Sequence, residues 1–307
     1  MDFKKGTGRL AVPGRKMKKR LCFLIILALC AGCRKAERGS GSLTVVTSIF
    51  PVYDMIRQVA AESIDLYCLV PTGANPHQYE MAPSQAAIVS RARCFIGVHP
   101  EFDGWMERFL PDNTKIYYLV DAAGSSVNAK GDQAGHEDPH IWLSVRKAKD
   151  LTRILEGALS DIRPDQHIAY KARADQFIQR LDSLDAEIHR RFEPLKHRSL
   201  IQWHPAWNRF ADDYHLAIAG TVERGHGYES SVKHFQQLIR NAREKNVRIV
   251  VAGLYQENRA VETLIREIDG RLVRLDTLGD PEDPMRRNYI AMMDWNAKKL
   301  AEALESL

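Results

Sequence analysis

Pro164-Asp-Gln-His-Ile-Ala-Tyr170-Lys-Ala-Arg-Ala-Asp-Gln-Phe177-Ile-Gln-Arg-Leu181-Asp-Ser-Leu184-Asp-Ala-Glu-Ile188-His-Arg-Arg-Phe192-Glu-Pro194 divides the chain near its middle. Between the two prolines, Phe177, Leu181, Leu184, Ile188 and Phe192 recur at spacings of three and four. That spacing gives one apolar stripe on an amphipathic helix. The 29 positions from Asp165 to Glu193 would span about 43 Å at 1.5 Å per residue. A helix of that length is a strut, and it restricts motion between whatever it joins.

On its N-terminal side lie four strand-like runs, Leu43 to Thr47, Ile64 to Val70, Cys94 to Val98 and Lys115 to Val120. On its C-terminal side lie four more, Ser199 to Trp203, Leu216 to Val222, Val247 to Gly253 and Arg271 to Leu275. Strands alternating with helical stretches argue for parallel sheets covered by helices. The expected fold is therefore α/β. A lobe at 43–164 and a lobe at 194–307, each with a four-stranded parallel sheet, are joined by the helix at 165–193, with a ligand cleft between them. Pro284 to Leu307 also reads as helical, with Tyr289, Met292, Met293 and Leu300 as packing residues.

Composition agrees with a globular chain and excludes a disordered or collagen-like one: of 307 residues, 45% are hydrophobic and 27% charged. The net charge of +5 is misleading, because residues 1–32 hold eight of the 44 Lys and Arg but one of the 39 Asp and Glu. The remainder carries 36 bases against 38 acids, a net of −2, and offers no basic footprint for nucleic acid.

The N-terminal charge belongs to a targeting pattern. Lys18-Lys19-Arg20 runs into apolar Leu21 to Ala31, the length of a signal-peptide core and too short to span a bilayer. Met17 starts a shorter version of the same signal. Ala31-Gly32-Cys33 resembles the lipobox of bacterial lipoproteins, although Cys30 stands where leucine is usual. The resemblance implies a signal peptide at 1–32, lipidation of Cys33 and a flexible tether at 33–42. Of five cysteines only Cys68 and Cys94 fall in the folded part, each in an apolar run. They read as buried free thiols rather than a disulfide framework.

Most of the eleven histidines, such as His167, His189, His197 and His234, sit among charged residues and read as solvated surface. Three differ. His77 lies in a loop after the second strand, His140 follows Pro139, and His204 directly follows the strand ending at Trp203. Asp276 directly follows the last strand. The carboxyl ends of parallel strands open on one side of a sheet, where ligand sites form. Three of the four residues fall near such ends, while His140 is placed by its loop alone; three imidazoles and one carboxylate make a four-coordinate set suited to Zn²⁺. Glu80 is a candidate to orient a histidine; His99 reads as a polar residue on the cleft rim, His226 as a bystander, and Asp212-Asp213 as surface. The separations match no local zinc motif.

Four segments supply what spacing does not. Pro76-His77-Gln-Tyr-Glu80, Asp138-Pro-His140-Ile-Trp142, His204-Pro-Ala-Trp-Asn-Arg-Phe210 and Leu275-Asp276-Thr-Leu-Gly279 resemble, in order, the metal-ligand segments of ZnuA/TroA-like solute-binding lipoproteins of bacterial ABC transporters. Val45-Val-Thr-Ser-Ile-Phe-Pro51 and Tyr289 to Asn296 resemble that family's ends. Ser144-Val145 stands where the family often has Asp-Pro, and Ala122 to His136 is short where zinc members carry a His-rich loop.

The resemblance implies His77, His140, His204 and Asp276 as ligands of Zn²⁺, carried as cargo, with Mn²⁺ or Fe²⁺ as the alternative. It also implies a permease and its ATPase as partners, a lipid-anchored monomer outside the cytoplasm, no nucleic acid and no enzymatic activity. Two rival classes are a surface adhesin and a zinc-dependent hydrolase. His77-Gln-Tyr-Glu80 begins an inverted zincin motif, but Met81 stands where its second histidine belongs.

Overall fold

The structure is a computed structural model that describes residue 1 and residues 43–122, 138–223, 231–255 and 259–307. The signal and lipobox, His136 and His226 lie outside the described residues.

The first sheet contains β1 (Thr44–Thr47), β2 (Asp65–Cys68), β3 (Cys94–Gly97) and β4 (Lys115–Tyr118), all parallel, in the order β2-β1-β3-β4. The second contains β5 (Ser199–Gln202), β6 (Ala217–Thr221), β7 (Ile249–Gly253) and β8 (Arg271–Leu275), parallel in the order β6-β5-β7-β8. The two sheets thus share one topology. Each reverses its strand order beside its first strand, and the crevice there is where an α/β sheet binds ligands.

Both faces of each sheet are buried, as parallel strands require. Val45, Cys94 and Ile96 face one way into the main core, while Val46 and Phe95 face the other way onto Val89 and Met106. In the second sheet Leu200, Ile249 and Val251 enter the main core. Ile201, Val250 and Ala252 pack beneath the helices that carry Leu238 and Leu264.

The main helices are α1 (Phe50–Ala60), α2 (Pro83–Val89), α3 (Val145–Ile162), α4 (His167–Phe192), α5 (Asn208–Asp213), α6 (Val232–Glu244), α7 (Arg259–Ile268) and α8 (Tyr289–Glu305). Helix α4 is the expected strut. A 3₁₀ turn at Pro164–Gln166 precedes it, because Pro164 opens that tighter turn. Its 26 residues span about 39 Å. The expected stripe is buried in full and extended by Tyr170 and Ala174. It packs against α1, α3 and α8, so the main core contains residues of both sheets and of the strut. No described helix is long and apolar enough to cross a membrane.

Polar contacts also tie the two sheets together. The Trp142 indole donates to the Thr277 carbonyl (2.7 Å), and the Tyr289 hydroxyl donates to the Trp142 carbonyl (2.7 Å). The Tyr289 amide donates to the Asp54 carboxylate (2.8 Å).

Several readings of the sequence need correction. The last helix begins at Tyr289 rather than Pro284; the Asn288 side chain caps it by accepting from the Ala291 amide. Asp213 is not surface. It is buried at the end of α5, accepts from the Ser144 hydroxyl and pairs with Arg146, while Asp212 is exposed. Burial raises the Asp213 carboxyl above its ordinary pKa against the pull of Ser144 and Arg146. Ser144, at the position where Asp-Pro was expected, therefore caps α3 by accepting from the Lys147 amide and also reaches α5. His234 is half-buried, not solvated, with Nε2 on the Thr221 carbonyl at 3.0 Å. Cys68 and Cys94 are free thiols, and burial pushes both up to about 12.

Candidate metal centre

The carboxyl ends of β2, β5, β7 and β8 converge on a cavity of about 260 Å³. Its walls include Gly73 to Gln78 from the first sheet's side, His140 and Trp142, and His204, Glu223, Val251 to Tyr255 and Leu275 to Leu278 from the second.

Each histidine is fixed locally. His77 sits in a 3₁₀ turn, Pro76–Gln78, whose start is capped by the Asn75 side chain accepting the His77 amide at 3.0 Å. Its ring packs edge-on against Phe102, with centroids 4.9 Å apart. His140 precedes the turn Ile141–Leu143, and one oxygen of Asp138 accepts from both its amide (3.0 Å) and its ring Nδ1 (2.8 Å). His204 follows β5 by two residues, and its Nδ1 meets Glu223 Oε2 at 2.9 Å. The other oxygen of Glu223 accepts from the Trp203 indole at 2.7 Å.

These partners decide where the protons lie. Burial alone would raise the Asp138 carboxyl, but the hydrogen bonds from the ring and amide of His140, together with the nearby charges of His140 and Arg209, hold Asp138 below its ordinary value. Asp138 is therefore ionised and only accepts. Burial in turn lowers the His140 pKa despite Asp138, which leaves a neutral ring. A neutral imidazole that donates through Nδ1 presents a lone pair at Nε2. His204 makes the matching Nδ1 contact, with Glu223.

Nε2 of His140 and Nε2 of His204 face each other at 3.3 Å. Two lone pairs at that distance repel unless a cation or proton lies between them. Zn–N bonds of 2.0–2.1 Å in a tetrahedron put neighbouring nitrogens about 3.3 Å apart. His77 completes the group, with one ligand atom from each of the three histidines within 4.8 Å of the others. The ring centroids are separated by 5.1, 5.3 and 5.6 Å.

Asp276 lines the same cavity but is not part of that tight group. Its Oδ1 accepts from the amides of Leu278 (2.9 Å) and Gly279 (3.0 Å), and its Oδ2 accepts from Arg286. Gly279 has φ +78°, and a Cβ there would meet Phe50 at 2.9 Å, so this turn under the carboxylate needs glycine. The guanidinium explains why the carboxylate stays back: Asp276 and Arg286 are 5% and 7% exposed and neutralise each other.

Glu80 is exposed and lies away from the cavity wall. The carboxylates that orient rings are Asp138 and Glu223, which the sequence reading missed. His99 does not line the cavity either; its Nδ1 accepts from the Glu101 amide and caps a helical turn.

Fold and site together define a two-sheet α/β protein with a three-histidine cavity where the strand ends meet. The family model for ZnuA, zinc-uptake complex component A periplasmic, matches residues 45–303, and the chain belongs to this family. The zinc-binding lipoprotein AdcA of Streptococcus pneumoniae (strain ATCC BAA-255 / R6) is 26% identical over 92% of this chain and 60% of its own length. The chain thus spans well under two thirds of that relative. A manganese ABC transporter substrate-binding lipoprotein, PsaA of Streptococcus mitis, is 23% identical over 92% of this chain and 95% of its own. A crystal structure of ZnuA superposes with a TM-score of 0.75 at 26% identity, covering 86% of this chain and all of that one.

Proposed function

We propose that this chain captures Zn²⁺ outside the cytoplasm and hands it to an ABC importer, with His77, His140, His204 and Asp276 as ligands. The observation that carries the reading is the convergence of three imidazoles on one point, two of them with Nδ1 held by a carboxylate. Such carboxylate–histidine pairs fix the tautomer and orientation of metal ligands. Nitrogen outweighs oxygen in the set, which favours zinc. Manganese is the rival cargo, supported by relatives named for it.

The role is binding rather than catalysis. A catalytic zinc needs an open position for water, whereas three imidazoles and the Asp276 carboxylate would fill a four-coordinate shell. In the same reading Cys33 carries the lipid that tethers the protein to a membrane, and a permease and ATPase receive the ion.

Chelator-competition titration of Zn²⁺ against the parent and the single variants His77→Ala, His140→Ala, His204→Ala and Asp276→Ala tests the site. Each histidine variant should bind at least about tenfold more weakly, since each removes one strong bond from a four-ligand set. Parent-like affinity in all four would move the site elsewhere. Cys33→Ser should release the protein from membranes and leave its zinc affinity intact.

A further inference from the structure

His77 reaches the cluster from a largely exposed loop, and its turn settles the backbone rather than the ring. The Ala74 amide donates to the Pro71 carbonyl, the Gln78 amide to the Asn75 carbonyl and the His77 amide to the Asn75 side chain. None of these bonds restricts the side-chain torsions of His77. The direction of the ring depends on what it packs against, and part of that seat is Phe102. The two rings meet at 85° with centroids 4.9 Å apart, within the edge-to-face range that aromatic pairs favour.

Phe102 is fixed in turn. It is 3% exposed, lies 5.5 Å from the Trp142 ring and belongs to the short helical turn Pro100–Asp103 after β3. The next residue anchors that turn. The buried Asp103 carboxylate accepts from the Ser48 hydroxyl (2.6 Å), just beyond β1, and from the amides of Val98 (2.8 Å) and His99 (3.1 Å), just beyond β3. A Cβ on Gly97 would meet Asp103 Oδ1 at 2.9 Å, so glycine at the end of β3 makes room for the carboxylate. The metal reading uses none of these groups, yet they set a rigid ring, at the point where the first sheet reverses its strand order, against one ligand of the cluster.

Resting on the zinc reading above, we propose that Phe102 is a positioning residue for His77: seated by Asp103 between β1 and β3, it holds the imidazole in the direction that meets His140 and His204. Without the flat ring the imidazole is free to turn. A ligand that must be ordered as the ion arrives binds it more weakly than one already in place.

Chelator-competition titration of Zn²⁺ against the parent, Phe102→Leu, His77→Ala and the double variant forms a double-mutant cycle, and circular dichroism confirms folding. Leucine keeps apolar bulk and removes the ring. Phe102→Leu should weaken zinc binding about tenfold when His77 is present. With His77 already replaced it should change binding by less than about twofold, because nothing is left for it to position.

Parent-like affinity in Phe102→Leu overturns the proposal. So does an equal loss with and without His77, which would mean that Phe102 supports the core or acts through His140, whose ring centroid is 6.4 Å away. If His77→Ala binds zinc like the parent, the assignment of His77 as a ligand fails first and the proposal falls with it. If His77→Ala weakens zinc but the cycle shows no coupling, only the proposal for Phe102 fails. Should Phe102→Leu not fold, Asp103→Asn decides in the same cycle. Asparagine has one acceptor oxygen where the carboxylate has two, so the seat loosens while the ring stays. A loss confined to the protein that keeps His77 supports the proposal, and no loss or an equal loss in both overturns it.

Discussion

Replacing Glu223 by Gln changes one atom and should cost metal affinity without touching a ligand. Glu223 serves two donors at once, the Trp203 indole at 2.7 Å on Oε1 and His204 Nδ1 at 2.9 Å on Oε2, and it is only 18% exposed. A glutamine has one acceptor oxygen and one NH₂. If the oxygen stays with Trp203, the NH₂ faces His204 and the ring must shift its proton to Nε2, the atom that points at His140. If the oxygen turns to His204, the buried indole donor loses its partner, which costs about 1–3 kcal/mol. Either way the empty site is no longer organised for an ion. Carboxylates that orient metal-bound histidines are generally worth about 10–100-fold in affinity, or about 1.4–2.7 kcal/mol. The double demand on Glu223 puts the expected loss in the upper half of that range. Zinc titration near neutral pH measures it, and ¹⁵N NMR of the His204 ring reports which nitrogen holds the proton. Parent-like affinity with the Nδ1 proton retained would refute the reasoning. A loss as complete as that of His204→Ala would mean that Glu223 binds the ion directly.

Ser144→Ala removes both the cap of α3 and the hydrogen bond to buried Asp213, so stability should fall by about 1–3 kcal/mol. Denaturant unfolding should then show a lower midpoint at unchanged slope, with zinc affinity preserved. Asp103 is buried, and that burial raises its carboxyl to about 6 despite hydrogen bonds from Ser48, Val98 and His99. A folded pKa above the unfolded value of about 3.9 means that the folded state holds the proton more tightly. The resulting stability is present below about pH 4 and lost as pH rises through about 6, a difference of roughly 3 kcal/mol. Asp103→Asn should flatten that part of the unfolding-versus-pH profile, and an identical slope in the variant would contradict the assignment. His204→Glu should narrow the gap between zinc and manganese in direct competition, because it trades a nitrogen for oxygen; an unchanged ratio would place selectivity elsewhere.

The cores of the strands were legible because buried parallel strands read as nearly continuous apolar runs. Their ends were less so. The run Ile64 to Val70 outlasts β2 at Cys68, yet its last residues still pair with the end of β1 and the residue after it: Leu69 donates to Thr47 and Val70 to Ser48. The three histidines were legible because proline or a strand end fixes each one. Asp213 was not, because nothing in the dipeptide Asp212-Asp213 distinguishes the member that turns inward. That is settled by Ser144, 69 residues away.

Glu223 shows why the partners of a site are harder to read than its ligands. In the parallel pair β5–β6, Ser199 lies opposite Ala217 and Leu200 opposite Ile218, an offset of 18. Continued past the strands, that offset would set His204 against Val222, whose side chain has no acceptor. A bulge between Leu200 and Ile201 adds one residue to β6, so Gln202 lies opposite Thr221 and His204 comes opposite Glu223. One extra residue in an edge strand thus converts a bare imidazole into an oriented one, in keeping with the habit of bulges to re-aim side chains beside functional sites. Alternating hydrophobicity along β6, Ala-Ile-Ala-Gly-Thr, is too weak to reveal that slip, because Gly220 and the alanines mark no face clearly. Arg286 was hidden for the related reason that its turn closes on itself. Asp283 donates its amide to Asp280, Arg286 to Asp283 and Asp280 back to Arg286, which carries the guanidinium to Asp276 across ten residues of irregular chain. Candidate ligands are read from residue type beside a proline or a strand end, whereas the orientation of their rings lies in register and loop closure, and those depend on pairings that only the folded chain makes.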